Sequence, residues 1–431
     1  MRNLLLAPSY LLIGSVAAAL INFIAIFINL SFYSLEELGV FAINVSIASF
    51  LSVLSLLRID IALTKLNLKK NFWALSLVPI ISSCLFMLLI LSIYLLFSYS
   101  EYKLPEQISL ISIVFLVIPI ALNQLFLSSI IRLNQLKFSA LAKPMLAAMI
   151  LIFQILFSFS NNKILEIFSN GMILGFFIGN TLFLIFLIFY LRNQVDKFSS
   201  KNLIHKIKKI LNKLKKIIVH SFLTTLPNQV SISFMPLILS FVGGTTLSGV
   251  FLILERTISA PNTLVSDALW KSNHYLFEEK NPKIAISKIK TATIIMLAFL
   301  VSFICFIYCV KFFLLNLLPE DFLLIVPFLF FAILSSGFQG LSKVNSYFIH
   351  FDKVLLNSFF ESFLFLLRTG GIFILFALSF EDYSLKYFYL SSSICYLALL
   401  SYWSQNLRNL KLVFPSFLIF IFTLVFFEMV T

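Results

Sequence analysis

Charge is what this chain has least of. Only 12% of its 431 residues are Asp, Glu, Lys or Arg, about half the ~25% of a soluble domain. That is too little to wet the surface of a globular protein, which excludes an ordinary soluble domain. Acidic groups are scarcer than basic ones, 18 against 32. Cysteine is rare too. Cys84, Cys305, Cys309 and Cys395 all lie inside apolar stretches, so neither a disulfide framework nor a metal site is indicated. Cys305 and Cys309 are one helical turn apart, but no His or carboxylate joins them, and packing is the simpler reading. The four histidines, His205, His220, His274 and His350, have no catalytic partner at useful spacing. The sequence therefore offers no catalytic residue and no cofactor motif.

What is abundant is apolar sequence, 60% of the chain, in runs of 18 or more residues that recur along its whole length. Such runs mark transmembrane helices. The pattern predicts an all-α polytopic membrane protein with spans at roughly 10–32, 38–63, 73–98, 108–131, 139–160 and 170–191. A second set follows at roughly 217–241, 246–270, 291–315, 322–345, 354–378, 385–404 and 412–430. Twelve are clear, and the thirteenth is either a span or an interfacial segment. The first run is too long for a signal-peptide core and lacks a small-residue cleavage pattern, so it is expected to remain as a span.

The basic residues sort by loop. With the N-terminus in the cytoplasm, 25 of the 32 fall on the inner side, whereas the outer loops are mostly acidic: Glu36, Glu37, Glu101, Glu106, Glu320, Asp321, Glu381 and Asp382. This is the positive-inside pattern. It turns a net charge of +14 into a topological signal and removes the nucleic-acid reading. No outer loop is long enough to hold a folded catalytic domain. Nine of the inner basic residues lie in 192–216, opposed only by Asp196. There Leu203, Ile207, Ile210, Leu211 and Leu214 recur at helical spacing, with lysines largely elsewhere around the wheel. The stretch reads as an amphipathic connector suited to the anionic leaflet surface and to membrane lipids. The expected organisation is a six-helix lobe at 1–191, the connector at 192–216, a second lobe at 217–404, and a loop plus extra apolar segment at 405–431.

A duplication is legible at one place. Leu30-Ser-Phe followed by Leu38-Gly-Val-Phe41 matches Leu239-Ser-Phe followed by Leu247-Ser-Gly-Val-Phe251. The match equates spans one and two with seven and eight, the offset of a six-plus-six repeat whose axis runs along the membrane normal.

Three arginines fall inside predicted spans: Arg58, Arg256 and Arg368. An arginine costs ~2.5–3.5 kcal/mol or more at mid-bilayer, which disfavours a lipid-facing, unpaired position; Arg58, about one and a half turns from the cytoplasmic end of its span, can snorkel at smaller cost. Near them are Asp60, Glu255, Asp267 and Glu361, candidates for ion pairs or for ion coupling. Glu361 and Arg368 are two turns apart on one helix face. Two readings stand: interhelical ion pairs that hold the bundle, or a cavity in which arginines bind an anionic substrate through their planar fork of donors. Pro119, Pro227, Pro236 and Pro261 fall inside spans as candidate kinks.

Several stretches resemble Wzx-type polysaccharide flippases of the multidrug/oligosaccharidyl-lipid/polysaccharide exporter superfamily. They are Asn22-Phe23, Leu35-Glu-Glu-Leu-Gly-Val-Phe41, Leu56-Leu-Arg-Ile-Asp-Ile-Ala62, and Gly249-Val-Phe-Leu-Ile-Leu-Glu-Arg256 followed by Pro261. Phe251 stands where the family usually has Tyr, and the thirteenth segment exceeds the family's twelve. The resemblance implies a MATE-like two-lobed bundle. It also implies export of an undecaprenyl-diphosphate-linked oligosaccharide, such as an O-antigen repeat unit, across the bacterial inner membrane. Alternating access, a cationic cavity, coupling to protons or sodium ions, and other polysaccharide assembly proteins as partners go with it. Moving about two negative charges outward is favoured by an inside-negative potential, ~2.3 kcal/mol per charge per 100 mV. The alternatives are a MATE-like drug or cation antiporter, which predicts an acid-lined cavity, and a membrane polysaccharide polymerase.

Overall fold

The computed structural model describes residues 2–57, 68–98, 107–133, 135–159, 170–196, 232–266, 282–314, 324–345, 354–378 and 383–406, with scattered positions between and after them. Among the described residues the fold is helical throughout, and eight segments are long and apolar enough to cross a membrane. The chain is a multi-pass membrane protein. Its contacts cluster into two compact units, one of residues 32–249 and one of 1–31 with 250–431. These units keep 32–191 together and 250–404 together.

The first unit contains α2 (Leu35–Leu56), α3 (Leu68–Ser98), α4 (Leu110–Arg132), α5 (Leu136–Ser158) and α6 (Gly171–Arg192). It also holds the start of α7 (Met235–Leu254). Helix α2 begins where Ser34 and Glu37 form a reciprocal capping box, which satisfies two otherwise orphaned backbone donors. Helices α5 and α6 approach most closely. Gly171, Gly175 and Gly179 recur every fourth residue on α6, and a Cβ at any of them would collide with the α5 backbone at Phe157, Gln154 or Ile150. In lipid, where helices gain nothing by hiding apolar surface from one another, such close backbone approach drives association.

Polar side chains in this unit act as interhelical ties. Asn44 donates to the Gln107 carbonyl and accepts from the Ser109 amide, both at 2.8 Å. Tyr33 donates to the Gln154 carbonyl at 2.7 Å. Burial, with the Glu37 charge adding to it, pushes the Tyr33 phenol well above its usual range, so it remains a donor. Asn123 on α4 donates to Asn180 on α6 at 3.1 Å.

At the positions described, the apolar stripe of the basic connector packs on the first unit. Ile210 is only 6% exposed, and Ile207 and Leu211 pack with Val195, Leu133, Trp73 and Tyr190 on the core of the first unit. Lys208, Asn212 and Lys215 are exposed. Trp73 Nε1 ties the preceding turn down by donating to the Asp196 carbonyl at 3.0 Å. Leu203 and Leu214 lie outside the described residues, as does most of 412–430.

Spans seven and eight meet at Gly243–Gly244, where helical geometry breaks and Gly244 takes φ +76°. After that break the chain crosses α2. A methyl group on Gly39 would overlap the Thr245 carbonyl, and one on Gly249 would overlap the Leu35 carbonyl. Each glycine meets the residue four positions before the other, so the contact is reciprocal. Gly39 and Gly249 are the residues that the sequence match had equated.

The second unit contains α1 (Arg2–Leu30), the end of the α7 path, α8 (Pro282–Leu314), α9 (Val326–Asn345), α10 (Val354–Ala377) and α11 (Ser384–Asn406). Helices α9 and α11 pack most closely, as α4 and α6 also pack in the first unit. The same polar tie recurs: Gln339 on α9 donates to the Tyr396 hydroxyl on α11 at 3.2 Å, and both pairs are 57 residues apart in sequence. Two structural correspondences, one apolar and one polar, thus carry the six-plus-six repeat.

Candidate substrate-binding site

Helix α7 does not run on as a regular α-helix. Residues Glu255–Ser259 form a π-helical turn, closed by the Ala260 amide on the Glu255 carbonyl. Pro261 explains it. Its nitrogen has no proton for the Thr257 carbonyl, and its ring collides with that carbonyl in a tight helix, so the preceding turn widens. Asn262 then fastens the segment to α9, donating to Ser336 at 2.6 Å. The wide turn packs against both α1 and α9.

It also sets the direction of Glu255. That carboxylate accepts from Ser259 at 3.0 Å and lies within electrostatic reach of Arg368 and of the Tyr389 hydroxyl. Arg368, on α10, is only 4% exposed. Its Nε donates to Ser392 on α11 at 2.7 Å. Its guanidinium carbon lies 4.7 Å from the Phe388 ring centre and 5.8 Å from that of Tyr396. Ring faces attract a desolvated cation, ~2 kcal/mol or more at such sites. Phe251 meets Phe388 edge-on and Tyr389 nearly parallel. The result is one buried polar nest, carboxylate and guanidinium together, walled by aromatic rings. The hydroxyl of Tyr389 lies within electrostatic reach of Glu255 and Arg368 and has no hydrogen-bond partner among the described residues.

Of the residues singled out by sequence, then, Glu255 and Arg368 are brought together. Arg256 is half-buried on the same π-turn. Glu361 lies two turns before Arg368 on α10. Arg58, Asp60 and Asp267 lie outside the described residues. Sequence reasoning missed Ser259, Tyr389, Ser392 and Tyr396, whereas Gln339, read as an interhelical hydrogen-bond partner, is one. A signal for one of them existed: Ser391-Ser392-Ser393 is an unusual run in the middle of an apolar span.

Compared by sequence, the chain matches no family model and no curated protein significantly. Compared by structure it matches well. A crystal structure of MATE in complex with MaL6 aligns with a TM-score of 0.55 over 95% of this chain and 96% of that one, at 13% identity. The chain has the MATE fold. An outward-facing multidrug-resistance MATE family transporter of the MOP superfamily aligns equally well, TM-score 0.55 at 15% identity over the same shares, 95% and 96%. A MOP superfamily transporter from Pyrococcus furiosus, in which reverse polarity of the binding pocket suggests a different function, aligns with TM-score 0.51. Its identity is 12%, over 94% of this chain and 96% of that one. In this MATE-fold chain the nest around Arg368 belongs wholly to the second unit, carried by the π-turn, α10 and α11.

Proposed function

We propose that the protein is an exporter that moves an anionic lipid-linked oligosaccharide, of the undecaprenyl-diphosphate-linked O-antigen type, from the cytoplasmic to the outer leaflet. One observation carries this reading: an arginine buried in an apolar span of a transporter fold, held by a hydroxyl and two rings, with a carboxylate in electrostatic reach. A guanidinium so placed can hand its charge from the carboxylate to an incoming diphosphate, and the carboxylate can then take up a proton or a sodium ion. Arg58 and Arg256 are assigned to the same anionic substrate. Asp60, Asp267 and Glu361 stand beside Glu255 as candidates for coupling or pairing. The working geometry is two six-helix lobes, 1–191 and 217–404, rocking in a bacterial inner membrane with the N-terminus inside.

The test replaces Arg58, Arg256 and Arg368 singly with Ala in a strain lacking the native protein, and follows surface polysaccharide. At least one variant should reach the membrane at wild-type level and lose most export. Normal export by all three, once correctly inserted, would overturn the anionic-substrate reading. Drug antiport is the second reading, favoured by the carboxylate in the nest. It predicts dye efflux that depends on Glu255 and persists in Arg368→Ala.

A further inference from the structure

The exposed basic residues at one end of the first unit form a fixed surface rather than a set of loose loops. Four elements end there. Arg132 closes α4, Lys137 opens α5, Arg192 closes α6, and the connector supplies Lys208 and Lys215; all five are exposed. A single apolar cluster holds them in place, because Leu133, Phe138, Tyr190, Leu191, Val195, Ile207, Ile210 and Leu211 belong to one core. The Tyr190–Gln135 hydrogen bond at 3.4 Å and the Trp73–Asp196 bond at 3.0 Å tie the same end together. Asp196 is the exposed acid among them.

We propose that this ledge is a docking surface for the headgroups of anionic phospholipids. The occupant follows from charge and placement. Among the described residues, five cations against one carboxylate attract anions, and the ledge stands where helices α4 and α6 of a membrane protein end, at the depth of a bilayer's headgroups. The manner of binding follows from the packing. Of the connector's described apolar positions Ile210 is buried and Ile207 and Leu211 are half-buried against the protein core, so it adheres by charge more than by sinking a greasy face between acyl chains. Adhesion of the first kind weakens with salt, whereas insertion of the second kind responds to curvature and packing defects.

Native mass spectrometry and vesicle-competition assays on the detergent-purified full-length protein test this, with phosphatidylglycerol and phosphatidylcholine as the two lipids. The wild type should retain phosphatidylglycerol preferentially, with a preference that falls as salt rises and is indifferent to vesicle diameter. Substituting Arg192→Gln, Lys208→Gln and Lys215→Gln together should weaken that preference by roughly fivefold per charge removed. A melting curve matched to the wild type shows that the triple variant is folded; if it is not, the single Lys208→Gln, on an exposed position, should lose its roughly fivefold share. Arg368→Lys should leave lipid preference unchanged, which separates this surface from the transport site. Equal retention of both lipids by the wild type, or an unchanged preference in the folded variants, would overturn the proposal. So would displacement of the lipid by millimolar inorganic phosphate, which would indicate a simple phosphate site.

Discussion

Removing the Arg368 side chain does more than delete a contact. It removes the cation within electrostatic reach of Glu255 and the donor to Ser392, and losing a buried hydrogen bond made by a charged group costs ~1.5–3 kcal/mol. Arg368→Ala should therefore melt well below the wild type in detergent. Adding Glu255→Gln should recover part of the loss, with a coupling of ~0.5–3 kcal/mol in a double-mutant cycle. Strictly additive losses would mean the two groups do not interact. Lysine is a poor substitute at position 368, since it lacks the planar guanidinium that donates to Ser392 while its carbon lies over the Phe388 and Tyr396 rings. Tyr389 predicts the opposite sign. Its buried hydroxyl lacks a hydrogen-bond partner among the described residues, and such a group costs ~1–3 kcal/mol. Tyr389→Phe should melt at or above the wild type while altering transport if the hydroxyl serves Glu255. A clear drop in melting temperature would show that the hydroxyl is satisfied in the native membrane.

At the scale of elements, the π-turn and the glycine face of α6 make separate predictions. Replacing Pro261 with Ala restores the missing amide and lets the helix tighten. Losing the extra residue of the wide turn rotates Glu255 by roughly 100° relative to the residues beyond. Pro261→Ala should fold at least as stably as the wild type, yet lose most of the proposed export activity; an unchanged activity would show that the turn's geometry is immaterial. Gly175→Leu should instead abolish folding, measured as loss of membrane-inserted protein, because its side chain would have to pass through the Gln154 backbone. Here the limits of the sequence become physical. Pro261 was legible as a candidate kink, but whether proline bends, breaks or widens a helix depends on what grips the following turn, in this case Ser336 on another helix. Arg368 was legible because charge in oil is conspicuous. Its partners were not, since serine and tyrosine are common in spans and only the α10–α11 packing selects Ser392 and Tyr396. The connector's periodicity gave its helix and its buried face, while the surface that buries it came from residues as far away as Trp73 and Leu133.

For the whole molecule, the apolar spans of the described residues were readable because the bilayer imposes length on every crossing segment, and a charge bias is expected on the loops between them. The orientation that follows from that bias is testable. In a variant freed of its four cysteines, Ser34→Cys should react with a membrane-impermeant maleimide from outside intact cells. Lys208→Cys should react only after permeabilisation. The reverse pattern would invert the expected topology and with it the proposed direction of transport. The crossing of α2 with the segment after Gly244 has a consequence of another kind. A reciprocal contact is one that a half-chain can make with its own duplicate, so the polypeptide behaves as a pair of subunits that happen to be tethered. The connector then acts on encounter frequency, converting a bimolecular association into an intramolecular one. A chain severed between residues 197 and 206 and supplied as two co-expressed fragments should reassemble in the membrane, and Gly39→Leu in one fragment should keep them apart.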